Sequence, residues 1–96
     1  LLIAFILQIV SIFMNFYYTY VLKTTNSKSL TYVGYTNNLK KRISLHNNGK
    51  GAKFTKGRKW KLIYKEKFRS KKKAMSREYK IKKNRKLRNF IIRNYE

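Results

Sequence analysis

Carboxylates are scarce in this chain of 96 residues, which has 25 lysines and arginines, three glutamates and no aspartate. The formal charge of +22 at pH 7 indicates a polyanionic partner, because a field of one sign attracts polymers of the other. If the chain also cleaves that partner with a metal ion, few oxygen ligands are available to hold the metal. Glu66 falls in a predicted strand and Glu96 is the last residue, whereas Glu78 falls within a predicted helix between apolar positions. Metal-dependent chemistry is therefore assigned to Glu78.

Composition also limits the class of site. The chain has no cysteine, which excludes disulfides and thiolate metal sites, and its single histidine, His46, excludes zinc sites built from several histidines. A hard cation held by oxygen ligands is compatible with this composition. Nucleic acid is the favoured partner, and an anionic membrane surface is the alternative.

The pattern of apolar residues predicts one small domain of the α/β class, of the α+β type, with a three-stranded antiparallel sheet flanked by helices. Aromatic and β-branched residues at 16–23 and 30–35 predict two strands that form a hairpin. Polar residues at 36–38 then begin a helix that runs to about residue 47 and buries Leu39 and Ile43. The predicted element order is β-β-α-β-α-α.

Residues 60–68 alternate between apolar and lysine positions, which predicts a third strand with one buried face and one wet face. Ser70 and Asn84 mark the starts of two further helices. The apolar positions of these three elements are Trp60, Leu62, Tyr64 and Phe68, then Ala74, Met75 and Ile81, and then Leu87, Phe90 and Ile91.

The first fourteen residues differ from the rest, since twelve of them are apolar and none is charged. One interpretation is an over-extended translation, with Met14 as the true start. A second is an extra packed element, and a third is a truncated membrane anchor, because a spanning helix needs about 20 apolar residues. The domain proper is predicted at residues 15–96, with residues 1–14 as an apolar segment before it.

Several short motifs follow one another at fitting intervals. The strand pair ends in two similar triplets, Tyr-Thr-Tyr at 18–20 and Tyr-Val-Gly at 32–34. The next helix carries Arg42 and His46 at i and i+4, hence on one face. Two longer runs follow, His-Asn-Asn-Gly-Lys-Gly-Ala-Lys-Phe-Thr at 46–55 and Arg-Glu-Tyr-Lys-Ile-Lys at 77–82.

In this order the motifs resemble the GIY-YIG nuclease superfamily, whose name records the two triplets, and most nearly its small stand-alone bacterial members. The resemblance spans residues 16 to about 92. It implies that Tyr20 and Tyr32 are the paired active-site tyrosines and that Arg42 is the catalytic arginine. By the same resemblance, His46 is the histidine of the helix and Glu78 is the metal ligand.

The chain departs from the pattern of the superfamily in the first triplet, where Tyr18 and Thr19 stand in place of glycine and isoleucine. Some members also use an asparagine late in the domain. Three residues of this chain are equal candidates for that role, namely Asn84, Asn89 and Asn94.

Elementary chemistry supports the same set of residues. A glutamate such as Glu78 suits one Mg²⁺ or Mn²⁺ ion, because Mg²⁺ accepts a single protein carboxylate and keeps several waters. Arg42 offers a rigid fork of donors for a phosphate. A tyrosine among cations becomes a plausible base, since nearby positive charge favours the phenolate. His46 could relay the proton or orient the second tyrosine.

Each of these residues also has an ordinary structural interpretation. Tyr20 and Tyr32 could simply pack in the core, and Arg42 could be a solvated cation that positions phosphate. His46 could cap the C-terminus of its helix as a cation. Glu78 could pair with a neighbouring lysine.

The glycines and the loop that contains three of them are predicted to have structural or binding roles rather than catalytic ones. Gly34 is predicted to permit a tight turn from strand to helix. The loop after the first helix lacks a phosphate-binding glycine motif and is predicted to be a mobile basic arm that contacts the nucleic-acid backbone. The cations of this arm are Lys50, Lys53, Lys56 and Arg58.

The predicted function is that of a metal-dependent endonuclease that hydrolyses phosphodiester bonds in DNA. No base-recognition helix is evident, so we expect selectivity for DNA structure rather than sequence, with RNA as an alternative substrate. We expect no small-molecule cofactor, a cytoplasmic location and a role in DNA repair or recombination; the oligomeric state is left open. The alternatives are a non-catalytic nucleic-acid-binding module with the same fold and, less favoured, a basic protein of the membrane surface.

Overall fold

The computed structural model describes residues 1–13, 15–26 and 28–95. From residue 17 onward the element order is β-β-α-β-α-α, so the predicted fold class and order are confirmed. The strands are β1 (Tyr17–Thr24), β2 (Thr31–Thr36) and β3 (Trp60–Phe68), and the helices are α1 (Leu2–Phe13), α2 (Leu39–Asn47), α3 (Lys71–Lys83) and α4 (Arg85–Tyr95).

The three strands form one antiparallel sheet in the order β2-β1-β3. The central strand β1 is the most buried of the three, as its aromatic and β-branched residues favour. Its residue Thr19 is fully buried and donates a hydrogen bond from its hydroxyl to the carbonyl of Ala74 in α3, at 2.8 Å. This bond ties the sheet to α3 at a fixed point.

A β-bulge changes which way the side chains of β3 point. Val21 pairs with Tyr64 while its neighbour Leu22 pairs with Leu62, so Ile63 is the extra residue. Trp60 and Leu62 therefore pack with Leu22 on one face, whereas Ile63 and Tyr64 pack with Val21 on the other. The prediction of a single buried parity along β3 is wrong, because a bulge shifts the side-chain alternation by one residue.

Helix starts follow the predicted capping chemistry. The side chains of Asn38, Ser70 and Asn84 accept hydrogen bonds from amides in the first turns of α2, α3 and α4. Ala74, Ile81 and Ile91 are buried as expected. Met75 and Phe90, two of the apolar positions named for α3 and α4, are exposed.

The helix α1 lies at the apolar start of the chain. Residues 1–8 are exposed, and the interpretation of the apolar segment as a packed extra element stays a prediction. Met14, named above as an alternative start, lies outside the described residues. Within the part of the chain that the structure describes, no helix combines the length and the apolar character needed to cross a bilayer.

Candidate active site

Tyr20 and Gly34 face each other across β1 and β2 at the centre of the site. Tyr20 is fully buried, and a Cβ placed on Gly34 would lie 2.5 Å from the Tyr20 hydroxyl oxygen and 2.6 Å from its Cζ. The turn predicted at Gly34 is wrong, since the residue lies within β2. Its lack of a side chain leaves the space that the Tyr20 phenol occupies.

A hydrogen-bonded chain runs from Tyr20 into the fold. The Tyr20 hydroxyl lies 2.8 Å from His46 Nε2, and His46 Nδ1 lies 2.8 Å from Thr55 Oγ1. The Thr55 hydroxyl donates to the carbonyl of Ala52 at 2.9 Å, which uses its single proton. With the Thr55 proton assigned in this way, Thr55 Oγ1 accepts a hydrogen from Nδ1 of His46. In a neutral imidazole this leaves Nε2 as the acceptor for the Tyr20 hydroxyl proton.

Burial sets the protonation of both partners. Burial, reinforced by the positive charge of Arg42, lowers the pKa of His46 from 6.5 to about 4. Burial also raises the pKa of Tyr20 from 10.0 to about 12, although the Arg42 hydrogen bond opposes the shift. At neutral pH the imidazole and the phenol are both uncharged. The interpretation of His46 as a cationic helix cap is therefore wrong.

Arg42 and Tyr32 complete this group on the solvent side. Burial would lower the pKa of the Arg42 guanidinium, but the hydroxyls of Tyr20 and Tyr32 more than offset it and the net shift is upward. The ring centroid of Tyr32 lies 6.4 Å from that of Tyr20 and 4.8 Å from that of His46. A permanent cation thus stands beside two phenol oxygens.

An open cavity of about 440 Å³ joins these side chains to α3. Tyr20, Tyr32, Arg42 and Glu78 line it together, and they come from β1, β2, α2 and α3 respectively. The hydrogen bond to Tyr20 links His46 to this surface from behind. The cavity is also lined by Gly34 and by residues that the sequence analysis did not assign to the site, namely Tyr17, Tyr35, Thr36, Asn37 and Lys71.

The two glutamates that the structure describes have different surroundings. Glu66 is held by Arg77 Nε at 3.0 Å and by the Tyr64 hydroxyl at 2.7 Å. Glu78 lines the cavity, and its Oε1 lies 3.4 Å from Lys82 Nζ. The Lys82 contact is the neighbouring ion pair named above as an alternative. Glu78 is therefore the described carboxylate that a ligand in the cavity can reach.

The donor set around Glu78 suits a hard cation with few protein ligands. Over the described ranges, no group of three or more histidine, aspartate or glutamate side chains lies together. Mg²⁺ typically takes one or two carboxylates and completes its shell with water and phosphate oxygens. One glutamate at the wall of a wide cavity fits that requirement.

The glycine-containing loop at residues 48–59 is attached to the site. Gly51 lies against the His46 ring, where a Cβ would collide with Nδ1, and Thr55 is fully buried. The Trp60 indole donates to the carbonyl of Thr55 at 3.0 Å. The prediction of a mobile arm missed this anchoring, since the loop supplies the second hydrogen-bond partner of His46. Its outward cations are Lys50, Lys53 and Lys56, with Arg58 half-buried.

The late asparagines lie apart from the cavity lining. Asn84 caps α4 through the amide of Leu87, at 3.0 Å, and Asn94 donates to the carbonyl of Phe90 within the same helix. Asn89 is exposed on α4. The asparagine that does line the cavity is Asn37. Its neighbour Asn38 provides the cap of α2. The sequence alone does not show which of these two asparagines caps the helix and which lines the cavity.

Comparisons with known proteins agree with the geometry. A family model described as the GIY-YIG catalytic domain matches residues 16–90. A UPF0213 protein of Clostridium perfringens is 55% identical over 67 residues, which cover 69% of this chain and 70% of that protein. The UPF0213 protein YazA of Bacillus subtilis is 47% identical over 70 residues, which cover 72% and 69%.

A solved structure of a related protein is similar to this chain in fold. The solution NMR structure of the UPF0213 protein BH0048 from Bacillus halodurans is 35% identical and covers 80% of this chain and 82% of that one, with a TM-score of 0.50. The resemblance predicted from the two triplets is confirmed by these matches.

Proposed function

The chain belongs to the GIY-YIG catalytic domain family, and from that premise we propose that it is an endonuclease that hydrolyses phosphodiester bonds in DNA. The observation that carries the proposal is the cavity. Tyr20, Arg42 and Glu78 are distant in sequence and lie on three different elements, yet they line one opening. A fold that only bound nucleic acid would have no need to gather a phenol, a guanidinium and the accessible carboxylate.

In this proposal Glu78 holds one divalent ion, Mg²⁺ or Mn²⁺, and Arg42 binds the non-bridging oxygens of the scissile phosphate. When bound, the metal supplies positive charge for the phosphate and lowers the pKa of a bound water. The planar guanidinium of Arg42 presents paired donors that match phosphate geometry. Lys71, at the cavity wall, adds a second cation for the strand.

Tyr20 is proposed to pass on the proton of the attacking water. Its hydroxyl donates to His46 Nε2 and accepts a hydrogen bond from Arg42, which leaves one lone pair of its oxygen to accept a proton from water. As the water attacks, its proton moves to the Tyr20 oxygen while the phenol proton moves to Nε2. The high pKa of Tyr20 and the low pKa of His46 leave the phenol and the imidazole uncharged at neutral pH, before the water attacks.

The substrate class follows from charge. A chain with a net charge of +22 binds the backbone of DNA of any sequence through release of counterions, and RNA is the alternative substrate. We propose that DNA structure rather than base sequence selects the site of cleavage and that residues 15–96 are the functional unit. No small-molecule cofactor is required. A cytoplasmic location is proposed because the substrate is DNA and the relatives are bacterial.

One observation favours the alternative of a binding module. The carboxylate of Glu78 already has a cation partner in Lys82, as it would in a domain that holds no metal. The two functions predict different behaviour of the same variant, and the chain provides a matched control in Glu66.

The test measures Mg²⁺-dependent cleavage of duplex, nicked, branched and single-stranded DNA by three proteins, the parent, Glu78→Ala and Glu66→Ala. We expect Glu78→Ala to lose all cleavage while its DNA affinity stays the same or rises, because a negative charge near the phosphate is removed. Glu66→Ala removes the same charge outside the cavity and should cleave at the parental rate while folded. Cleavage by Glu78→Ala at the parental rate would refute the metal ligand, and a parent that binds every substrate and cleaves none would favour the binding module.

A further inference from the structure

Phe54 is an exposed aromatic side chain in the anchored loop at residues 48–59. Its side chain is 47% exposed, and its neighbours Lys53 and Lys56 are exposed cations. A large apolar ring among lysines loses the benefit of burial while it remains open to water. The packing of the domain alone does not account for this position, because the buried anchor of the loop is Thr55.

The ring of Phe54 adjoins the proposed active site. It stacks on Tyr32 with an interplanar angle of 19° and a centroid distance of 6.5 Å, and Tyr32 lines the cavity. Trp60 supports it from the side, at a centroid distance of 6.0 Å. The guanidinium carbon of Arg58 lies 5.2 Å from the Phe54 centroid. An aromatic surface therefore extends from the cavity wall to the Phe54 ring, and the Arg58 guanidinium lies over that ring.

We propose that Phe54 is a stacking site for one unpaired base of the strand whose phosphate enters the cavity. This inference rests on the proposed function and adds to it a class of substrate, namely DNA with an unpaired nucleotide next to the cleaved bond. Grooves that combine aromatic rings with backbone-binding cations are the general means of holding single-stranded nucleic acid. In this proposal the base takes the place of the Arg58 guanidinium over the Phe54 ring, and the displaced guanidinium and Lys53 contact the phosphates of the same segment.

Geometry explains why such a site discriminates. In duplex DNA the faces of the bases are covered by their neighbours, so an exposed ring gains nothing from them. In a flap, a gap or a free end, an unpaired base offers an open face. Stacking on an aromatic side chain strengthens binding by about 5- to 150-fold per base, as judged by alanine substitution.

The experiment measures binding without metal, in the presence of chelator, so that no cleavage occurs. Labelled single-stranded DNA and a duplex of the same sequence are titrated with the parent, Phe54→Ala and Phe54→Tyr. We expect Phe54→Ala to weaken single-strand binding about tenfold, which corresponds to about 1.4 kcal/mol, and to change duplex binding less than about twofold. Phe54→Tyr keeps a ring and should bind as the parent does. The matched control is Phe90→Ala, which removes a ring that is 53% exposed on α4 and should affect neither substrate.

Two further measurements separate stacking from other causes. Single-stranded DNA with abasic sites has no bases to stack, so the parent and Phe54→Ala should bind it equally. Thermal unfolding checks the fold, and Phe54→Leu, which keeps apolar volume without an aromatic plane, replaces the alanine variant if that variant is unfolded. Equal losses on single-stranded, duplex and abasic DNA would overturn the proposal.

Failure of this inference is distinct from failure of the proposed function. The binding assay contains no metal and reports no cleavage, so an inactive protein would still show the single-strand effect. Conversely, if the parent cleaves DNA and Phe54→Ala binds single strands as the parent does, the proposed nuclease activity stands and the proposed stacking site is refuted.

Discussion

The two faces of the sheet are built from alternate residues of the same central strand, yet their chemical character differs. The face toward α3 and α4 carries an apolar cluster formed by Val21, Val33, Ile63, Ile81 and Ile91. The face toward α2 is also buried, but it holds a polar chain from Tyr20 through His46 to Thr55. The α3 face is packed mainly through apolar side chains, whereas the α2 face combines an apolar cluster around Leu22 and Trp60 with a set of oriented hydrogen bonds.

The difference shows how a small domain can bury reactive groups without losing its fold. Across the described residues, every buried side-chain nitrogen and oxygen has a hydrogen-bond partner. A buried polar group that is fully paired has a small net effect on stability, whereas an unpaired one costs about 1–3 kcal/mol. The hydrogen bonds of the α2 face therefore fix the orientation of Tyr20, while an apolar cluster on each face contributes hydrophobic stabilisation.

Adjacent residues of β1 allow the sharpest test of this division. Tyr20→Phe removes only a hydroxyl on the polar face and should lower single-turnover cleavage by about 10²–10⁴, the range for a general base. Val21→Ala removes two carbons on the apolar face and should lower the free energy of unfolding by about 2–3 kcal/mol. The folded fraction of Val21→Ala should cleave at the parental rate.

Tyr32→Phe serves as the control for the chemistry, since Tyr32 lines the same cavity without the bond to His46. Its loss of rate should be smaller than that of Tyr20→Phe, with metal and salt fixed. Near-parental cleavage by both phenylalanine variants would show that the tyrosine hydroxyls only contribute to packing. The two faces would then not differ in function.

A pH titration measures what the polar face contributes to stability. The folded state holds the pKa of His46 near 4, against 6.5 in the ordinary case, so between these values the unfolded chain binds a proton that the folded chain does not. This contribution is fully present above about pH 6.5 and is lost as pH falls toward 4. We expect the free energy of unfolding in urea to be about 2 kcal/mol lower at about pH 5 than at about pH 7.

Few other groups titrate in that window, because the chain has one histidine and three glutamates. His46→Gln should therefore flatten the profile between the two pH values. A parental profile that is already flat would mean that His46 keeps its ordinary pKa and that the imidazole is not the neutral acceptor of the Tyr20 proton.

The smallest effect is expected from the segment that serves neither face. Residues 1–8 are exposed, and both apolar clusters begin at β1. Deleting residues 1–13 should therefore leave the cooperativity of urea unfolding and the cleavage rate unchanged. Loss of a cooperative transition in the shortened chain would show that the apolar segment contributes to the core, and would contradict the proposed boundary at residue 15.

The element order could be predicted from the sequence because its determinants are local. Ser70 and Asn84 cap the helices that follow them, and the aromatic content of β1 favours a central strand. Side-chain directions in β3 could not be predicted, since the bulge at Ile63 arises from pairing with a strand about 40 residues earlier in sequence. The exposure of Phe90 likewise depends on how α4 packs rather than on its periodicity.

The candidate site was predictable only in part. Tyr20, Tyr32, Arg42 and His46 could be predicted together, because the two triplets and the helix that follows match the motif order and spacing of the superfamily. The roles of Gly51 and Thr55 could not be deduced, because their contact with His46 depends on how a loop folds back over α2. A glycine and a threonine in a lysine-rich loop have no local signature of a buried function.

The hydrogen bond from Thr19 to Ala74 fixes the longitudinal position of α3 against the sheet. Apolar packing alone resists separation of a helix from a sheet better than it resists sliding along the helix axis, where each residue advances 1.5 Å. Thr19 is adjacent to Tyr20, and Ala74 lies one helical turn before Glu78, so this buried bond contributes, together with the Arg77–Glu66 contact between α3 and β3, to the distance between the phenol and the carboxylate. At the position where the superfamily pattern has isoleucine, this chain has a hydroxyl that holds the two halves of its cavity in alignment.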